Sequence, residues 1–154
     1  KEKIAEEGLQ EDVNTELNAS GLHIVLTNKV LFETASDELK NESSKKLIKN
    51  IGIIVETVDN PISIEGHTDN VPINTEKFKS NWDLSSSRAL SILKEMTESK
   101  STNNLGNYSA TGYGEYRPLV ENSDENGKAR NRRVEIVIKR ISGDNLLEPG
   151  SEAK

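Results

Sequence analysis

Apolar residues recur along the chain with two different periods, and the switches between them mark out the elements. Leu9, Val13 and Leu17 return every four positions among Glu and Asp, which predicts a helical lead-in over residues 1–20. So narrow a stripe suits either a solvated linker helix or a helix that pairs with a second copy. Gly21 breaks it. "LHIVLT" (22–27) is β-branched and strand-like, followed by a turn at Asn28 and then "VLF". Ser36 opens a polar, helix-favouring stretch. Leu47, Ile51, Ile54 and Val58 then share one helical face, which Asn60-Pro61 stops. "ISI" (62–64) predicts a second strand. After a polar loop, Asn81 has the chemistry of an N-cap for a helix with Ala89, Leu93 and Met96 on one face. "YSATGYG" (108–114) predicts a third strand, and 118–129 a polar, turn-rich loop. In "RRVEIVIKR", Val134, Ile136 and Ile138 alternate with Arg133, Glu135 and Lys139, the pattern of a half-buried strand.

Strand, helix, strand, helix, strand, strand predicts an α/β fold of the α+β type. This is a two-layer sandwich with helices packed on one face of a small mixed sheet. The expected organisation is a lead-in over 1–20, one domain over 21–141 and a loose tail over 142–154. There is no internal repeat.

Composition narrows the function. At 154 residues the chain has room for one domain, and with 32 % apolar residues its core must be a modest one of Ile, Leu and Val. A net charge of -6 argues against nucleic acid as a partner, since phosphate binders present a basic surface. Without cysteine there is no disulfide frame, thiolate metal site or cysteine nucleophile. The longest purely apolar run, "IGIIV", is far below the roughly 20 residues of a membrane span. The chain begins at Lys1, which reads as a trimmed piece of something longer, with any membrane segment upstream.

The densest polar chemistry is "EGHTDNVPIN" (65–74), directly after the second strand. His67-x-Asp69 supplies two potential metal ligands. Zinc needs at least three, and the other histidine, His23, lies within a strand, so a structural His67 bonded to neighbouring backbone is expected, with no metal and no cofactor. Glu65 and Asp69 do not have the setting of a catalytic carboxylate pair. No G-x-S-x-G elbow occurs, and "TGYGEYRP" lacks the third glycine of a dinucleotide site, so no enzyme is expected.

Asp69 lies just past a strand and Arg88 about two turns into the next helix, a placement that sets both at one edge of an α/β layer. There they either pair with each other or flank a cleft. In a cleft they match a zwitterion: the carboxylate takes an ammonium, the guanidinium a carboxylate. Helix-start amides over 81–84 offer further donors to the same anion. Arg132 and Arg133 are adjacent, so on a strand one points toward the helix layer and needs a buried partner.

"IEGHTDNVPI", "SNWDLSSSRAL", "ATGYGEYRP" and "ARNRRVEIVI" occur in the order of OmpA-like peptidoglycan-binding domains, which the chain resembles over about residues 21–140. "NVPI", the loop with Phe78 and Trp82, and "VLFETASDELK" resemble the flagellar stator branch of that family, MotB-type proteins and their sodium-driven relatives. The resemblance implies a non-catalytic domain that grips a diaminopimelate-type stem peptide, is homodimeric and works with a MotA-like subunit through an upstream membrane segment. It places the chain in the extracytoplasmic space. Asp69 and Arg88 fall on the family's ligand positions; Asn70, Asn81, Leu84 and Arg132 on positions that line or brace the groove. His67 and Thr68 are expected to hold the loop's shape. The family's "F-x-S-G-S-A-x-L" reads "FETASDEL" here, with Thr34 and Ala35, a departure expected to touch a turn and not the ligand.

Overall fold

A computed structural model describes residues 12–98 and 105–141. Their elements run β1 (Val13–Asn18), β2 (Gly21–Thr27), α1 (Glu42–Val55), β3 (Ile62–His67), α2 (Asn81–Thr97), β4 (Tyr108–Gly112), α3 (Glu125–Asn131) and β5 (Arg133–Lys139). The strands form one sheet in the order β1-β2-β5-β3-β4. β3 and β4 are parallel and every other pairing is antiparallel, so the sheet is mixed. Parallel β3 and β4 need a crossover, and α2 provides it.

The alternation in β5 sets the layers. Val134 and Ile136 join Ile24, Leu26, Ile62 and Ile64 on one face of the sheet. Leu47, Ile48, Ile51 and Val55 of α1 and Ala89, Ile92 and Met96 of α2 cover that face. This is the expected two-layer α/β arrangement. Two N-caps fix where the long helices start: Asn41 accepts from the Ser44 amide, and Ser80 from the Asp83 amide.

Four expectations need correction. The lead-in is a strand where it is described: Val13 and Leu17 belong to β1, with Val13 opposite Leu26 and Leu17 opposite Leu22, while Leu9 lies outside the described residues. A step of four is a multiple of two, so it keeps one face of a strand as well as of a helix. On α1 the buried stripe is Leu47, Ile48, Ile51 and Val55, with Val58 packed on the core after it; at about 100° per residue Ile54 lies at the edge of that face and is exposed. The polar 118–129 stretch is not all loop: from its N-cap Asp124 it enters α3, which is too short and too polar to show an apolar stripe. Finally, Arg132 and Arg133 do not share a strand; Arg132 is the one on the helix side, where it bonds Asp69 and Glu125 of α3 and lines a cleft beside Arg88. Arg132 is the C-cap of α3 and precedes β5. Arg133 lies on the opposite face of the sheet, where Arg133, Glu135 and Val137 are all buried. The segment after β4 reaches this face at Arg133, whose Nη2 donates to the Arg117 carbonyl at 3.0 Å, while Glu135 is held by Arg133 and His23.

Candidate functional site

The C-terminal end of β3 opens into a cleft of about 1050 Å³. Gly66 lets this end come close to α2: a Cβ there would strike the Ser85 carbonyl. Beyond it, the Thr68 amide bonds the Gly114 carbonyl at 2.9 Å, and the Thr68 hydroxyl bonds the Asp69 carbonyl at 2.7 Å. The Asp69 carboxylate is thereby set at the cleft wall, buried to 7 % exposure. Its Oδ1 accepts from the Val71 amide at 3.0 Å and its Oδ2 from Arg132 Nη1 at 2.6 Å. Arg132 also bonds Glu125 at 2.7 Å. Burial alone would lower the Arg132 pKa, but the bonds to Glu125 and Asp69 outweigh it and raise it.

Arg88 lines the same cleft from α2. It is 4 % exposed, with its guanidinium over the Phe32 ring at 5.1 Å. Nε donates to the Ser36 carbonyl at 2.7 Å and Nη2 to the Glu33 carbonyl at 3.2 Å. Among the described residues Nη1 has no hydrogen-bond partner. Burial pushes the Arg88 pKa down to about 10, a shift that Asp37 and Asp69 oppose and Arg132 reinforces. The group stays cationic at neutral pH, yet as an under-compensated charge that an anion would relieve. The turn that receives Arg88 is itself tied to α2: Ser87 donates to the Asp37 carboxylate and Ser91 to the Asp37 carbonyl. At its apex Ala35 has φ +57°, a left-handed backbone, at the family pattern's glycine position.

Asp69, Arg88, Asn81, Leu84 and Arg132 therefore meet in one cleft, and Asn70, which is exposed, does not line it. Asp69 pairs with Arg132, and not with Arg88, which settles the pairing the sequence left open. Asn81 is not the cap of α2. It is the first helical residue, and its side-chain amide donates to the carbonyls of Asp69 and Val71 and to Glu115. The helix-start donors are partly used up, because Ser80 takes the Asp83 and Leu84 amides. Phe32, Thr68 and Ala35 also line the cleft; the altered "FETASDEL" stretch is the sequence signal for Phe32 and Ala35, and Thr68 has none as a wall.

His67 does not bond backbone. It lies on the sheet face away from the helices, stacked on Tyr113 at 5.2 Å, and both buried ring nitrogens lack a hydrogen-bond partner among the described residues. Burial first, then the nearby Arg133, lowers its pKa to about 4. The Thr68 bonds, by contrast, do hold the loop.

Comparison with known proteins places this geometry. Residues 31–132 match the OmpA family. Motility protein B of Bacillus subtilis is 32 % identical over 135 residues, covering 88 % of this chain and 51 % of that protein. The chain thus spans about half the length of the curated relatives it matches. Among solved structures, the periplasmic domain of Helicobacter pylori MotB aligns at a TM-score of 0.78 with 28 % identity, over 92 % of this chain and 86 % of that one. The cell wall anchor of the type VI secretion system (T6SS) of Pseudomonas aeruginosa aligns at 0.77 with 29 % identity, over 89 % and 94 %. The match begins at Leu31, ends at Arg132 and takes in Asp69 and Arg88 with the turn that holds Arg88, so the chain belongs to the OmpA family.

Proposed function

We propose that this domain binds peptidoglycan without cutting it, and that it anchors a MotB-type flagellar stator unit to the cell wall in the extracytoplasmic space. One observation carries the reading: a buried carboxylate and a buried guanidinium, Asp69 and Arg88, line one cleft while each is fixed by other partners. Asp69 would take the ammonium of a diaminopimelate side chain. Arg88, with Nη1 uncommitted, would take its carboxylate. Leu84, Val71 and Phe32 supply apolar wall for the methylenes between.

Hydrogen bonds to charged groups contribute about 1.5–3 kcal/mol each, so two of them give about 3–6 kcal/mol. That corresponds to roughly millimolar to tens of micromolar affinity for one stem peptide. Co-sedimentation with purified sacculi tests the reading. Wild type pellets, folded Asp69→Ala and Arg88→Ala stay in the supernatant, and no soluble fragments are released. Pelleting of both variants with wild type would refute the clamp, and released fragments would make the protein an enzyme. Removing Asp69 leaves Arg132 bonded to Glu125, so that variant keeps its fold.

The likeness to a T6SS cell wall anchor supports a second reading, an anchor for another envelope assembly with the same clamp. A membrane helix bearing an ion-binding aspartate ahead of this domain would select the stator. A homodimer and a MotA-like partner belong to the stator reading.

A further inference from the structure

Beside the cleft, and outside it, lie two large aromatic rings that folding has left in water. Trp82 is 51 % exposed and Tyr116 is 60 % exposed. Their centroids are 4.9 Å apart and their planes 24° from parallel, so they stack on each other. Trp82 is the second residue of α2 and Tyr116 lies in the turn after β4, so two separate elements converge to build the pair. The pair is tied to the proposed peptide site. Asn81, next to Trp82, donates through one side-chain amide to Val71 and Asp69 of the carboxylate loop and to Glu115, next to Tyr116. Exposed Val71, whose carbonyl accepts from that same Asn81 amide, adds apolar surface.

We propose that Trp82 and Tyr116 form a stacking platform for a pyranose ring of the wall glycan, next to the cleft that takes the peptide. This rests on the peptidoglycan reading and deepens it, adding the sugar to the peptide as a recognised part of the ligand. The chemistry suits the site. The C–H-rich face of an N-acetylated hexose is apolar and slightly positive, and it packs on the electron-rich face of an indole. The stem peptide is covalently joined to such a sugar, so a ligand seated at Asp69 brings its own hexose to the neighbourhood. Two linked contacts then act at high effective concentration.

Trp82 is the sole tryptophan, so its emission reports this platform alone. Intact protein is titrated with a diaminopimelate-containing stem tripeptide, with the corresponding disaccharide-tripeptide and with an N-acetylglucosamine trisaccharide, following Trp82 fluorescence and, by calorimetry, affinity. The disaccharide-tripeptide is expected to blue-shift or quench Trp82 and to bind about 3- to 10-fold more tightly than the bare tripeptide. Trp82→Ala and Tyr116→Ala should erase that gain while leaving tripeptide affinity unchanged. Equal affinity for both ligands with unmoved Trp82 emission would overturn the platform and leave the clamp standing. A Trp82 response to the sugars with no tripeptide binding would sink the clamp and keep the platform. If Trp82→Ala instead lowers the sedimentation coefficient of the free protein, the rings are a contact between copies and the platform is refuted.

Discussion

At the scale of single residues, two positions pay no heed to ordinary preference. Ala35 sits at φ +57° at the apex of the turn whose carbonyls receive Arg88. The methyl group strains a left-handed backbone, while glycine would lose more entropy on folding; the first effect is the larger. Ala35→Gly should therefore raise stability by about 0.5–1 kcal/mol, or roughly 1–4 °C in Tm, measured by calorimetry. A lower Tm would show that the turn is not strained. His67 makes the second case. Its native pKa is about 4 against 6.5 when unfolded, because burial excludes the cation. Between these values the unfolded chain binds a proton that the native protein does not, so stability falls as pH drops from 6.5 toward 4 and is fully present above 6.5. The loss is about 3 kcal/mol. Urea unfolding of His67→Phe, whose ring can stack on Tyr113 likewise, should lack this component of the slope. Parallel pH curves for variant and wild type would count against it.

At the scale of elements, the approach of β3 and β4 to the start of α2 decides where Asp69 and Arg88 stand relative to each other. Gly66 faces the Ser85 carbonyl and Gly112 the Ser86 amide, both backbone groups that have no rotamer to retreat into. Gly66→Ala must push α2 off the sheet. We expect a loss of about 2–3 kcal/mol in chemical denaturation. Binding should weaken as well, since the shift separates Arg88 from the loop carrying Asp69. A variant of unchanged stability would mean that the two elements slide freely.

At the scale of the whole molecule, the stretch matching the OmpA family carries the three α-helices of the described residues with β3 and β4, whereas β1, β2 and β5 lie outside it. β5 nevertheless sits centrally between β2 and β3, and Arg132, at its threshold, clamps Asp69 to Glu125 of α3. Through its pairing with β3, up to His67 opposite Arg133, a strand beyond the matched region also positions the end of β3 that opens into the cleft. One stem-peptide contact of the strength estimated above is weak, and a wall is a polymer of such sites. Covalently joining two domains through a flexible linker should lower the protein concentration for half-maximal pelleting with sacculi by about 100-fold or more. A change of only about two-fold would show that the two sites cannot be engaged together.

The alternation in 133–139, the stripe of Leu47 and Ile51 and the stop at Asn60-Pro61 determined a two-layer α/β sandwich, because periodicity follows from which side chains must leave water. The ordered motifs likewise fixed the family and named five side chains that meet in the cleft. Other features were decided only by long-range contact. The helical reading of Val13 and Leu17 yielded to pairing with β2, since a four-residue step fits either period. Pairing of Asp69 with Arg132, 63 positions away, has no local signal. Nor has the burial of Arg133 and Glu135 on a sheet face that alternation alone marks as wet, where Arg133 meets the Arg117 carbonyl of the segment after β4 and Glu135 meets His23 of β2. Local spacing tells a residue which face it shares; what lies across that face is set by chain brought back from far along the sequence.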